Sequence, residues 1–146
     1  MLAKKTVILS LSLTLCTFSY QLVRGQSDAA AADGIYTADQ AHRGQTLYQA
    51  QCTSCHGDAL DGTGPYPPLS GNDFLSKYEG QPALYVYDMI QKLMPATAPG
   101  SLTRPQAADL LAYILSYNKF PAGKTELPSD EDALKKLTVP KPAPKA

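Results

Sequence analysis

The sequence predicts an all-α domain with three main helices and long loops. Three observations carry that reading. Three segments show apolar residues at helical spacing between recognisable start and stop signals. No segment shows the apolar–polar alternation of a strand, and no internal repeat is visible. A long stretch rich in glycine and proline separates the first helix from the second, and so much loop in a small domain needs something to wrap around.

The 146-residue chain has room for one domain, and its formal net charge is zero. No basic patch argues for nucleic acid. Residues 1–25 have the layout of a secretory signal peptide. Lys4 and Lys5 precede the uncharged, largely apolar run Thr6–Tyr20, and Val23 and Gly25 suit the −3 and −1 positions of a cut before Gln26. An uncleaved membrane anchor is the alternative. A run of fifteen residues falls short of the roughly 20 that a span needs. Cleavage would remove Lys4, Lys5, Arg24 and Cys16. The mature chain would then have no membrane span, a net charge of −3 and two cysteines, Cys52 and Cys55. That placement predicts the periplasm, and the negative charge favours a partner with a positive rim.

Residues 26–36, QSDAAAADGIY, read as a linker, and the folded domain is expected over 37–120. The first helix starts at Thr37, an N-cap with Gln40 three residues on as in a capping box. Ala41, Gly44, Tyr48 and Cys52 share one face. Gly44 costs about 1 kcal/mol relative to alanine inside a helix, so its presence suggests close approach of another helix. From Gly57 to Gly80 the chain is expected to be loop-rich, since residues 57–74 contain four glycines and three prolines. The second helix runs through QPALYVYDMIQKLM, with Pro82 at its first position and Leu84, Met89 or Ile90, and Leu93 on its apolar face. Pro95 stops it. The third helix is capped by Thr103, has Pro105 in its first turn, and carries Leu110, Leu111, Tyr113, Ile114 and Leu115 as an apolar stripe. Residues 121–146 read as a partly disordered extension with one short helical stretch at EDALKKL.

The chemistry concentrates in QCTSCHGD, residues 51–58. A thioredoxin-type dithiol needs a preceding strand, and a helix leads in here. A zinc site needs four ligands, and no second pair at metal-binding spacing exists. The remaining reading of C-x-x-C-H is covalent attachment of one haem c. Cysteines three apart lie about one helical turn from each other and can form thioethers to both vinyl groups on one porphyrin edge. His56 then lies under the ring and can ligate iron. For the sixth position the mature chain offers Met89, Met94 and His42. Met89 is mid-helix and reads as core, and His42 as surface. Met94 ends its helix at the start of a proline-rich loop that can hold a thioether towards the ring.

The stretch from Gly44 to Tyr113, with GQTLYQAQCTSCHG, PPLSG, MP and ADLLAYIL, resembles the class I cytochromes c. The resemblance implies that Gly44 and Tyr48 clasp the last helix at Leu110 and Tyr113. It also implies that the Pro67 carbonyl accepts a hydrogen bond from the proximal imidazole. More narrowly, the chain is similar to small haem c domains that accompany bacterial periplasmic dehydrogenases, notably quinoprotein alcohol dehydrogenases. Tyr78 stands where those domains have a tryptophan near the haem propionates. The resemblance implies a single-electron carrier, a monomer or a subunit of a transient complex. It would work between a redox-protein donor, such as a quinoprotein dehydrogenase, and an acceptor such as a terminal oxidase. The alternative is a five-coordinate haem enzyme or sensor for peroxide or a gas.

Overall fold

The computed structural model describes residues 34–140. The expected signal peptide lies outside the described residues, as do most of the expected linker and the last six residues of the chain. Within them are six helices: α1 (Ala38–Gln51), α2 (Thr53–His56), α3 (Gly71–Tyr78), α4 (Ala83–Leu93), α5 (Arg104–Tyr117) and α6 (Glu131–Lys136). The only strand-like pairing among the described residues is an isolated bridge between Pro82 and Thr138. The all-α class holds. Among the described residues no helix is long and apolar enough to cross a membrane.

The molecule is organised by the crossing of α1 and α5. α5 begins with a full capping box. The Gln106 amide donates to the Thr103 hydroxyl, and the Thr103 amide donates to Gln106 Oε1. Leu110, Leu111, Tyr113, Ile114 and Leu115 are all buried, as their spacing predicts. Gly44 lies against α5 at Asp109 and Tyr113. One turn on, the Tyr48 and Tyr113 rings meet at 5.2 Å between centroids.

α1 is capped by Thr37, whose hydroxyl accepts from the Gln40 amide at 3.2 Å. The expected capping box is not completed. The Gln40 side chain turns inward and bonds both backbone groups of Leu127 instead. That diversion ties the C-terminal extension to the domain. The extension is packed as far as residue 140, and its expected short helical stretch is α6. Leu127, Leu134 and Val139 are buried. Val139 exchanges backbone hydrogen bonds with Gly80 and Gln81, and the Ala83 amide donates to Leu137. The folded unit also starts before Thr37. Tyr36 is buried, and its carbonyl accepts from the Gly123 amide. Apolar residues 127, 134, 137 and 139 are too widely spaced to show a period, so the sequence alone reads them as tail.

Two smaller corrections concern the middle of the chain. The glycine- and proline-rich loop ends earlier than expected, because α3 starts at Gly71 and buries Phe74. Pro82 caps α4 rather than occupying its first turn. α4 buries Leu84 and Ile90 as expected, together with Ala83, Val86 and Tyr87, but Met89 and Leu93 face outward.

Candidate functional site

A cavity of about 380 Å³ lies between α1, α2, the loop after it, and helices α3 to α5. That volume is within the usual range for small-molecule and cofactor sites. Cys52, Cys55 and His56 lie on its wall, as do Pro67, Tyr78, Met89 and Met94. Every residue that the sequence singled out as a haem contact therefore meets at one cavity. His42 does not; it is exposed on α1.

The motif is carried on a break in the helix. Cys52 ends α1, with its amide still bonded to Tyr48, and caps the single turn α2. Gly57 then takes a left-handed φ of +75°, which suits a residue without a Cβ, and turns the chain sharply after His56. The Tyr48 hydroxyl donates to the Gly57 carbonyl at 2.7 Å and pins that turn to α1. The Thr63 hydroxyl donates to the Cys55 carbonyl, and the Gly62 amide to the His56 carbonyl. These bonds fold the loop back under the histidine.

His56 is 7% exposed, and its Nδ1 lies 2.9 Å from the Pro67 carbonyl oxygen. A carbonyl can only accept, so Nδ1 carries a proton, and in the neutral ring the lone pair is on Nε2. This is the arrangement that fixes a metal-ligating imidazole in tautomer and orientation. Pro67 is itself held because the loop end is tied to α5. Asn118 is buried, donates to the Leu69 carbonyl at 2.9 Å, and accepts from the Gly71 amide at 3.0 Å. The sequence reading missed Asn118. Its only signal is a position at the C-cap of α5, where Asn is common.

Both cysteines are free thiols and half-buried. Burial, and secondarily the neighbouring Cys55, pushes the Cys52 thiol up to about 11. A thiol held protonated at neutral pH is a poor nucleophile, which argues against a redox dithiol. Among the described residues no group of three or more His, Cys, Asp or Glu could hold a metal ion, which argues against zinc. Tyr78 packs against Phe74 at 5.0 Å between ring centroids, with Lys77 Nζ 5.0 Å over its ring. Ile90, Leu110 and Ile114 complete an apolar back wall. The donor set fits a covalently held haem. It offers two thiols a turn apart, one imidazole with a free Nε2, and thioethers on another part of the wall.

A family model described as "Cytochrome C oxidase, cbb3-type, subunit III" matches residues 39–114, just over half of the chain. The chain belongs to this family. It is a class I c-type cytochrome, and membership implies covalently bound haem c. Comparison with the curated proteins gives no match. Among solved structures, this cytochrome is similar to a chain of the sulfane dehydrogenase SoxCD from Paracoccus pantotrophus. The TM-score is 0.53 at 22% identity, covering 75% of this chain and 63% of that one. At that identity the likeness concerns the fold. The chain spans under two thirds of the length of that solved chain.

Proposed function

We propose that this c-type cytochrome is an exported monohaem carrier of single electrons. The haem would be bound through Cys52 and Cys55 and ligated by His56 and Met94. The observation that carries the reading is the buried His56, whose Nδ1–H donates to the Pro67 carbonyl, on the wall of a cavity that also holds both cysteines and Met94. Haem so held supplies a reversible one-electron couple, which a thioether ligand moves to higher potential than a second imidazole would.

The chain's own residues do the rest. Pro67 keeps the His56 ring oriented and electron-rich. Ile90, Leu110 and Ile114 exclude water from the back wall. Two protein ligands leave no position for substrate, which makes the protein a carrier rather than an enzyme. The family description names a cytochrome c oxidase and the solved neighbour is a dehydrogenase, which supports a place between a dehydrogenase donor and a terminal-oxidase acceptor. Tyr78, which takes the tryptophan position of related domains, would donate its hydroxyl to a propionate at the cavity wall.

A visible spectrum of the ferric and ferrous protein tests the reading. Haem that survives acid–acetone extraction, with a weak long-wavelength sulfur–iron band in the ferric state, is expected. Absence of a Soret band would remove the cytochrome reading. Mass spectrometry of the exported chain should find Gln26 at the N-terminus and one haem. A mature chain that retains Lys4 would make it an anchored cytochrome.

A further inference from the structure

We infer that the C-terminal extension is a strap that positions the sixth iron ligand: residues 127–139 hold α4 in place, and α4 holds Met94 on the cavity wall. The inference rests on the reading of Met94 as ligand given above. The loop that follows Met94 does not fix it. Among the described residues, 95–101 make hydrogen bonds only within the loop, from the Ala98 amide to the Pro95 carbonyl and from the Ser101 amide to the Ala98 carbonyl. Residues 96–101 are exposed. Met94 is tied instead to α4, where its amide donates to the Ile90 carbonyl at 3.2 Å. Where Met94 sits is therefore set by where the last turn of α4 sits.

The extension holds α4 along its length. α4 also packs against α5, but apolar packing is non-directional and leaves a helix free to shift along its axis. Hydrogen bonds have direction and fix that position. The Ala83 amide, in the first turn and without a partner in its own helix, donates to the Leu137 carbonyl at 2.8 Å. Just before it, Gly80 and Gln81 bond to Val139. In the middle of α4 the hydroxyl of buried Tyr87 lies 3.2 Å from the Ser129 carbonyl oxygen and 3.3 Å from that of Arg104. In the last turn Lys92 lies 3.9 Å from Glu131, an exposed pair that adds little. Apart from the share of Tyr87 that reaches Arg104, every hydrogen bond and ion pair from α4 to a distant segment goes to the extension, among the described residues. The extension is itself anchored to the α1–α5 crossing. Gln40 bonds Leu127, and Arg43 joins Glu126 to Asp109 at 2.9 Å each. The family match ends at residue 114, before the strap, and neither Tyr87 nor Leu134 lines the cavity. Both are positioning residues that reach the iron only through α4 and Met94.

The test follows cyanide binding to the ferric holoprotein at saturating cyanide, where departure of the Met94 thioether limits the rate. Tyr87→Phe should speed binding by about fivefold, the worth of one hydrogen bond. Leu134→Ala, which opens a void under the strap, should speed it by about tenfold or more. In both variants the sulfur–iron band should fade on heating before the helical circular dichroism does, as a local opening requires. Gly44→Ala is the control, because it strains the α1–α5 crossing and leaves the strap alone. It should bind cyanide at the parent's rate and lose band and helicity together. An unchanged rate in either strap variant overturns the inference. So does a Gly44→Ala rate raised as much as theirs, which would make the extension a general stabiliser of the fold. If Leu134→Ala does not assemble with haem, Tyr87→Phe alone decides. A parent without the sulfur–iron band would instead sink the Met94 reading itself, so the two failures are distinguishable.

Discussion

Gly44 and Asp109 are in backbone contact: a Cβ built on Gly44 would lie 1.9 Å from the Asp109 carbonyl oxygen. No side chain fits there unless the helices part. The glycine that weakens α1 locally is what lets α5 close over it. Gly44→Ala should therefore destabilise the protein even though alanine is the better helix former by about 1 kcal/mol. Overpacking typically costs about 1–3 kcal/mol, which should lower the melting temperature by several degrees. A variant as stable as the parent in a thermal melt would show that the helices do not meet at this position.

Gln40 is 2% exposed and holds the chain end in place. Its Nε2 donates to the Leu127 carbonyl at 3.0 Å, and its Oε1 accepts from the Leu127 amide at 2.7 Å. Gln40→Met keeps the length but removes both bonds and leaves two buried backbone groups unpaired. Each should cost roughly 1–3 kcal/mol. Hydrogen exchange should locate the effect, with the amide of Leu127 losing protection before those of α5. Equal protection in both proteins would mean that the extension is held by Leu134 and Val139 alone.

Tyr48 links the first helix to the haem motif through its hydroxyl. Tyr48→Phe keeps the ring contact with Tyr113 and removes only the bond to the Gly57 carbonyl. A loss of about 1 kcal/mol in chemical denaturation is expected, with haem attachment intact. A silent substitution would show that the Gly57 turn is fixed by the loop bonds of Gly62 and Thr63.

The parts legible in the sequence were those with a short period or a strong local rule. The stripe of α5, the Thr103 cap and the Gly44 contact are local signals, and each appears where the spacing places it. The C-x-x-C-H motif is local too, and Pro67 could be placed under His56 by resemblance. Residues joined over long separations were not legible. Gln40 reads as half of a capping box until Leu127, 87 residues away, takes its side chain. Asn118 reads as a helix end until the loop end at Leu69 and Gly71 binds it. The face of α4 was legible in part: Leu84 and Ile90 are buried as expected, but a loose stripe could not choose between Met89 and Ile90 or exclude Leu93. Only packing against α5 and α6 decides which side is inner.

Met89 and Met94 both reach the cavity, and they separate the proposed ligand from its neighbour. Met94 leaves the end of α4 in an extended conformation, with Pro95 and the loop behind it, so its thioether belongs to a segment free to face the ring. Met89 is fixed in mid-helix, where the backbone sets the direction of its side chain. Met94→Ala should keep covalent haem, since Cys52, Cys55 and His56 are untouched. It should lose the sulfur–iron band, lower the midpoint potential, and let the iron bind added cyanide or carbon monoxide. Met89→Ala should keep the band. If Met89→Ala loses the band and Met94→Ala keeps it, the ligand is on the helix. If only His42→Ala changes the spectrum, the iron has two imidazoles and the carrier works at low potential.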